Sequence, residues 1–254
     1  MKRYLIVTVL TAISFSMAAS DSPLLDTSRP GGFGIETGLH YTIGATSVLQ
    51  NYSDKIGGIA AMDVAPGVGT GMGASVEFVI REYLAIGTQF DLMLGNHRYA
   101  IAMSAPGIDR QTTLMVRNHY YWADIPIYGS LRLNLADRTK LHLDLGIYFG
   151  IGLGGHQKAS IYNAYKNSIG QMIVSVSDEK WDYYGSVDDG KMALLNKVSR
   201  VDIGLHAGMG LVIREHYSVG AVLHVGCRNL AIPTPVFEPA YRTLQTLFKV
   251  GYIF

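Results

Sequence analysis

Residues 121–154 read YWADIPIYGSLRLNL, then ADRT, then KLHLDLGIYFGIGLG, and this stretch decides the fold. From Tyr121 every second residue is apolar or small: Tyr121, Ala123, Ile125, Ile127, Gly129, Leu131, Leu133 and Leu135. After the polar turn 136–139 the alternation resumes with Leu141, Leu143, Leu145, Ile147, Phe149, Ile151 and Leu153. A period of two held this long is strand, not helix. Ordinary globular strands run about 5–6 residues. Tilted strands of about 9–11 residues or more are what a membrane barrel needs. The opposite face carries Asp124, Arg132, His142, Asp144, several aromatics and Gly146, Gly150 and Gly152. Small residues there relieve crowding in a narrow lumen. The leucine-rich face is therefore placed outward, against lipid, where no Lys or Arg occurs. A cation near the midplane costs roughly 2–4 kcal/mol.

The rest of the chain is consistent with that reading. Its 254 residues carry a net charge of +1, which gives no electrostatic case for a nucleic-acid partner. Glycine (29) and tyrosine (16) are abundant and only 16% of residues are charged, a balance that suits a membrane barrel. The single cysteine, Cys227, cannot form an internal disulfide. Lys2 and Arg3, an apolar run over 4–15 and the small residues Ala18-Ala19-Ser20 read as a secretory signal over 1–20, leaving 21–254 as the barrel domain. No other segment is long and apolar enough to span as a helix, so an antiparallel barrel is the remaining way across lipid.

Eight strands are expected: about 33–45, 68–80, 84–95, 120–135, 140–155, 201–213, 217–225 and 241–254. Connections alternate between short (81–83, 136–139, 214–216) and long, the longest at 156–197. Short periplasmic turns and long external loops are the pattern of these barrels. The predicted fold is all-β: an eight-stranded antiparallel up-and-down transmembrane β-barrel. Pro126 falls inside the fourth strand and predicts a bulge or a missing ladder bond there.

The segment Tyr121-Trp122-Ala123-Asp124-Ile125-Pro126-Ile127-Tyr128 resembles the Tyr-Leu-Glu-Ile-Pro-Leu signature of PorT-like outer-membrane β-barrel proteins of Bacteroidetes. Asp124 stands where that signature has Glu. The resemblance implies an outer-membrane barrel; it carries no activity to this chain. The final strand, with Phe248, Val250, Tyr252 and Phe254 on one face, resembles the signal read by the barrel assembly machinery. Its physical basis is a last strand that pairs first with that machine and later with the first strand.

The inward face collects Glu36, Glu77, Asp91, Asp124, Asp144 and Asp202, with Arg132, Lys249, His40, His142, His206 and His224. Eight strands enclose a lumen that side chains fill, so these groups form a paired plug. A narrow ion path or small-ligand site is the functional alternative. A lipid-modifying enzyme needs a His beside a Ser and a carboxylate; His119, His156, Ser160 and Asp178 are the candidates, with nothing to fix their geometry. In the long loop, Trp181, Tyr183, Tyr184, Asp188 and Asp189 suit contact with an extracellular protein or glycan, or pack on the rim. The Asp pair matches no EF-hand spacing. No catalytic, cofactor-binding or metal-binding residue is assigned, and no cofactor is implied. The partners expected are outer-membrane lipid, the assembly machinery and an extracellular protein or glycan. The function expected is structural or interaction-based, with a small pore and a lipid-modifying enzyme as alternatives.

Overall fold

The computed structural model describes residues 33–54, 59–104, 110–185, 198–232 and 237–254. The expected signal at 1–20, the start of the barrel domain at 21–32 and the pair Asp188-Asp189 lie outside the described residues. Among the described residues there are nine strands: β1 (Gly34–Asp54), β2 (Ile59–Arg81), β3 (Leu84–Ser104), β4 (Arg110–Ala136), β5 (Thr139–Lys166), β6 (Met172–Asp182), β7 (Val201–Ile213), β8 (Tyr217–Gly226) and β9 (Phe237–Ile253). All pair antiparallel, and β1 pairs with β9 over Gly38↔Ile253 to Asp54↔Phe237. The ring β1-β2-β3-β4-β5-β7-β8-β9 is thus closed with eight staves, as expected. The ninth strand, β6, pairs only with the far half of β5 and stands outside the ring. Among the described residues no helix is long and apolar enough to cross a membrane.

Exposure alternates with the sequence. Leu145 is 72% exposed and Ile147 42%, while Tyr148 between Ile147 and Phe149 is fully buried. Leu39, Met72, Phe90, Leu205 and Val250 continue the apolar exterior around the ring. Asp91, Asp124, Arg132, His206 and His224 are buried. Greasy outside and charged inside is the reverse of a water-soluble barrel. It makes this a transmembrane barrel of the outer-membrane type. Three residues depart from the expected exterior row. Ala123, opposite Ile151, is buried. Leu135 sits in the register shift between Asn134 and Ala136 and is buried, as is Leu141 opposite Leu133.

The expected loops are largely strand. β4 has 27 residues and β5 has 28; at ~3.3 Å each they run about 90 Å, far beyond the hydrocarbon core. β2, β3, β4, β5 and β6 continue as one sheet past the outer rim, so the segment 156–197 is not a loop through most of its length. Its interior face holds Tyr99, Ile101, Leu114, Val116, Ala159 and Ile161 in an apolar cluster.

Pro126 leaves the ladder on one side only. The β3–β4 register is the same before and after it, but the pairs opposite Gln89 and Phe90 are missing. Thr88 Oγ1 donates to the Pro126 carbonyl at 3.0 Å across the gap. The bulge in this hairpin lies instead between Tyr121 and Trp122 against β5, leaving Leu153 unpaired. The tight β7–β8 turn places Arg214 (φ 53°) and Glu215 (φ 65°) in the left-handed region, which costs a side chain roughly 1–2 kcal/mol. Replacing Glu215 with Gly is expected to stabilise the barrel by about 0.5–1 kcal/mol, read as a raised urea midpoint in lipid vesicles. A lowered midpoint contradicts the turn geometry.

Candidate functional site: a packed lumen and an extracellular sheet

The strand alternation sends charged side chains inward, and the lumen pairs them. At the periplasmic end Arg132 from β4 donates to both oxygens of Glu36 on β1, each at 2.8 Å, and to Glu77 on β2 at 2.5 Å. Tyr128 donates to Glu77 at 2.9 Å and accepts from Gln89 at 2.8 Å. Lys249 on β9 bridges Gln89 (2.5 Å) and Asp91 (2.8 Å), and Asp91 also binds the His40 ring. One connected chain therefore crosses the barrel from β1 through β2, β3 and β4 to β9. A second group fills the middle. His206 and His224 share a hydrogen bond of 2.8 Å, and the His224 ring lies 3.6 Å from Asp124. Trp122 donates to Asp124 at 2.6 Å and Tyr148 to Asp202 at 2.7 Å. His142 and Asp144 instead line a cavity of about 90 Å³ with His40, Glu77 and Lys249, room for about three waters. Every inward residue singled out from the sequence is buried or half-buried.

Glycines make the ring packing possible. A Cβ on Gly87 would come within 2.6 Å of the Tyr128 ring, and one on Gly152 within 2.3 Å of Tyr184. Each ring occupies the space that a side chain at that glycine would take.

The outer mouth is closed by aromatics. The chain leaving β6 turns back into the barrel, and Tyr183 stacks on Tyr120 with ring centroids 4.6 Å apart. Tyr183 and Tyr241 share a hydroxyl contact of 2.6 Å, and Tyr241 meets the His97 ring at 2.6 Å. Tyr183 and Tyr184 are 3% and 8% exposed, so they plug the mouth and are not displayed to a partner. Trp181 packs against the apolar cluster of the outer sheet. Neither His97 nor the Tyr183–Tyr241 contact was singled out from the sequence. The signal was present in the inward parity Asp91, Met93, Gly95, His97 and Tyr99, which runs unbroken through a segment read as loop.

The enzyme candidates do not assemble. His119 and His156 are directly opposite and stacked at 5.2 Å. Ser160 lies four residues from His156 on the same strand, about 13 Å away at the usual rise. Asp178 pairs opposite Ser160, and Asp182 opposite His156. A Ser, a His and a carboxylate are thus not within hydrogen-bond reach of one another. His156 lies beyond the apolar belt, and its pKa falls below the usual imidazole value, first through desolvation and then through Lys180, His119 and Lys158.

No family model matches the chain, and no curated protein matches it. Among solved structures it is similar to Ail, the attachment invasion locus protein of Yersinia pestis, at 12% identity over 85% of this chain and 98% of that one, with a TM-score of 0.32. It is also similar to the outer membrane protein OprG of Pseudomonas aeruginosa (8% identity, 88% and 98% covered, TM-score 0.31). A third is the translocator domain of the autotransporter NalP from Neisseria meningitidis (10% identity, 99% and 95% covered, TM-score 0.25).

Replacing Arg132 with Met leaves Glu36 and Glu77 facing each other without a cation. A broken buried pair costs about 3–5 kcal/mol. A loss of that size in reversible unfolding from vesicles is expected, and a change under about 1 kcal/mol contradicts the pairing. Substituting Val for Gly87 is expected to displace the Tyr128 ring and to destabilise the barrel in the same assay.

Proposed function

We propose that this protein is a non-conducting outer-membrane platform that presents the β5–β6 hairpin for recognition outside the cell. The observation that carries this reading is the free edge of β6. Among the described residues β6 pairs with β5 alone, and it exposes Met172 (63%), Val174 (61%) and Val176 (56%). Ile169 at the hairpin tip is 74% exposed. An unpaired apolar edge is a template for an added strand unless it is covered. The recognition assigned to 156–197 therefore moves from the tyrosines, which are buried, to the edge and tip of this hairpin. The filled lumen supports a plug over a pore, and the separation of His156 from Ser160 supports a non-catalytic role.

Two finer readings belong to the same proposal. We read the Tyr121–Tyr128 segment as that of a PorT-like protein of Bacteroidetes; its even members Trp122, Asp124, Pro126 and Tyr128 are all buried on the lumen-facing register of β4. Phe248 and Tyr252 on β9, the closing strand, and Phe254 directly after it are exposed, where the assembly machinery would read them.

Crosslinked capture from the native envelope tests the platform. With Val174 and Val176 both changed to Lys, partner recovery is expected to fall at least tenfold. Undiminished recovery removes the hairpin as the recognition element. Planar-bilayer recording of the wild-type protein is expected to show no discrete openings; openings would favour a pore.

A further inference from the structure

Above the apolar exterior a row of cations crosses four strands. The register sets Arg98 of β3 opposite Arg117 of β4, Arg117 opposite Lys158 of β5, and Lys158 opposite Lys180 of β6. All four are exposed, and the residues flanking Arg98, Arg117 and Lys158 in sequence are buried, so the row lies on the outer face of the sheet. Adjacent strands are about 4.8 Å apart, and like charges directly opposite one another destabilise a sheet. Among the described residues none of the four is ion-paired. The fold gains nothing from gathering them; an anion seated across them does.

The height of the row says which anion. Below the row, the nearest exterior apolar residue on β3 is Leu94, four residues from Arg98, and on β4 it is Tyr121, four residues from Arg117. On β5 it is Leu153, and Lys158 follows beyond the bulge. Beyond the row, among the described residues, only Met115 and Tyr162 are exposed apolar side chains on the outward positions of β4 and β5. Four residues on a strand tilted about 40° rise roughly 10 Å, the level where lipid headgroups begin to give way to solvent. A groove of about 370 Å³ is lined by Val68, Leu94, Tyr121, His119 and His156; two residues further along β4 and β5 begins one of about 410 Å³, lined by Arg117, Lys158 and Lys180 together with Asp178 and Glu179. An amphiphile would lie along both with its chains low and its charge high. The acidic neighbours are Asp178, Glu179 and Asp182 on β6 and the exposed Asp63 on β2, whose partner Ala100 lies two residues from Arg98, which puts the most positive ground over β4 and β5.

We propose that this row binds the phosphorylated headgroup of an outer-leaflet glycolipid whose acyl chains rest on the exterior around Leu94 and Tyr121. The site rests on the membrane orientation of the barrel and not on the hairpin-edge recognition, and the two are probed by different residues. Full-length protein in detergent is titrated with bisphosphorylated lipid A, with enzymatically dephosphorylated lipid A and with a soluble bisphosphorylated disaccharide, and bound ligand is counted by native mass spectrometry. Wild type is expected to bind the phosphorylated lipid at least tenfold more tightly than either of the others. The variant R98Q/R117Q/K158Q/K180Q is expected to lose that preference, and R117Q/K158Q most of it, with a urea midpoint unchanged or raised because like-charge contacts are removed. Equal binding of phosphorylated and dephosphorylated lipid overturns the proposal, as does a quadruple variant that keeps the preference. Soluble disaccharide binding as tight as lipid A also overturns it, in favour of a site for free anions.

Discussion

Pairing of β1 with β9 is the constraint from which the rest follows. A backbone in hydrocarbon has no water to satisfy its amides and carbonyls, so a sheet that crosses it can leave no edge. The register from Gly38↔Ile253 to Asp54↔Phe237 removes that edge and makes eight strands into a ring. Once the ring is closed each residue has only two places to go, out to lipid or into a narrow lumen. The alternation of the chain then becomes a physical sorting of apolar from ionisable groups.

The interior inherits a second constraint. Carboxylates enclosed by eight strands must find partners or remain costly. Arg132 and Lys249 meet that demand by each serving two acceptors, and the histidines and tyrosines extend the hydrogen bonding between them. Such a network gives the lumen rigidity in place of a path. The aromatic lid built from Tyr120, Tyr183 and Tyr241 closes the same space from the outer end.

The staves within the membrane were legible because each repeats one rule, apolar outward. The strand expected at 201–213 has its observed bounds, and the inward ionisable residues singled out from the sequence are buried or half-buried, His97 being the one missed above the rim. The sequence reading failed above the rim, where the rule inverts. There the outward positions carry Asn96, Arg98, Arg117 and Lys158, while Tyr99, Ile101, Leu114, Val116, Ala159 and Ile161 point in. A period of two persists with its sign reversed, because water has replaced lipid outside. On β5 the unpaired Leu153 also shifts the parity by one, so the pattern reads as broken just where the strand continues. Pro126 was a sound signal of a missing ladder contact, yet the bulge lay near Tyr121, for which the sequence offers no comparable mark. The aromatic lid depends on contacts between segments more than 100 residues apart, such as His97 with Tyr241, and no local pattern encodes those.

Everything outside the membrane is built on strands that begin inside it, so the direction in which the β5 side chains face is the point to measure. Nitroxides attached one at a time at Asp144, Leu145, Ile147, Tyr148 and Phe149 in vesicles would report collision with dissolved oxygen, which concentrates in hydrocarbon. Maxima at Leu145, Ile147 and Phe149 with minima at Asp144 and Tyr148 are the expected result. The opposite phase, or no alternation at all, would contradict a lipid-facing leucine row and with it the transmembrane barrel.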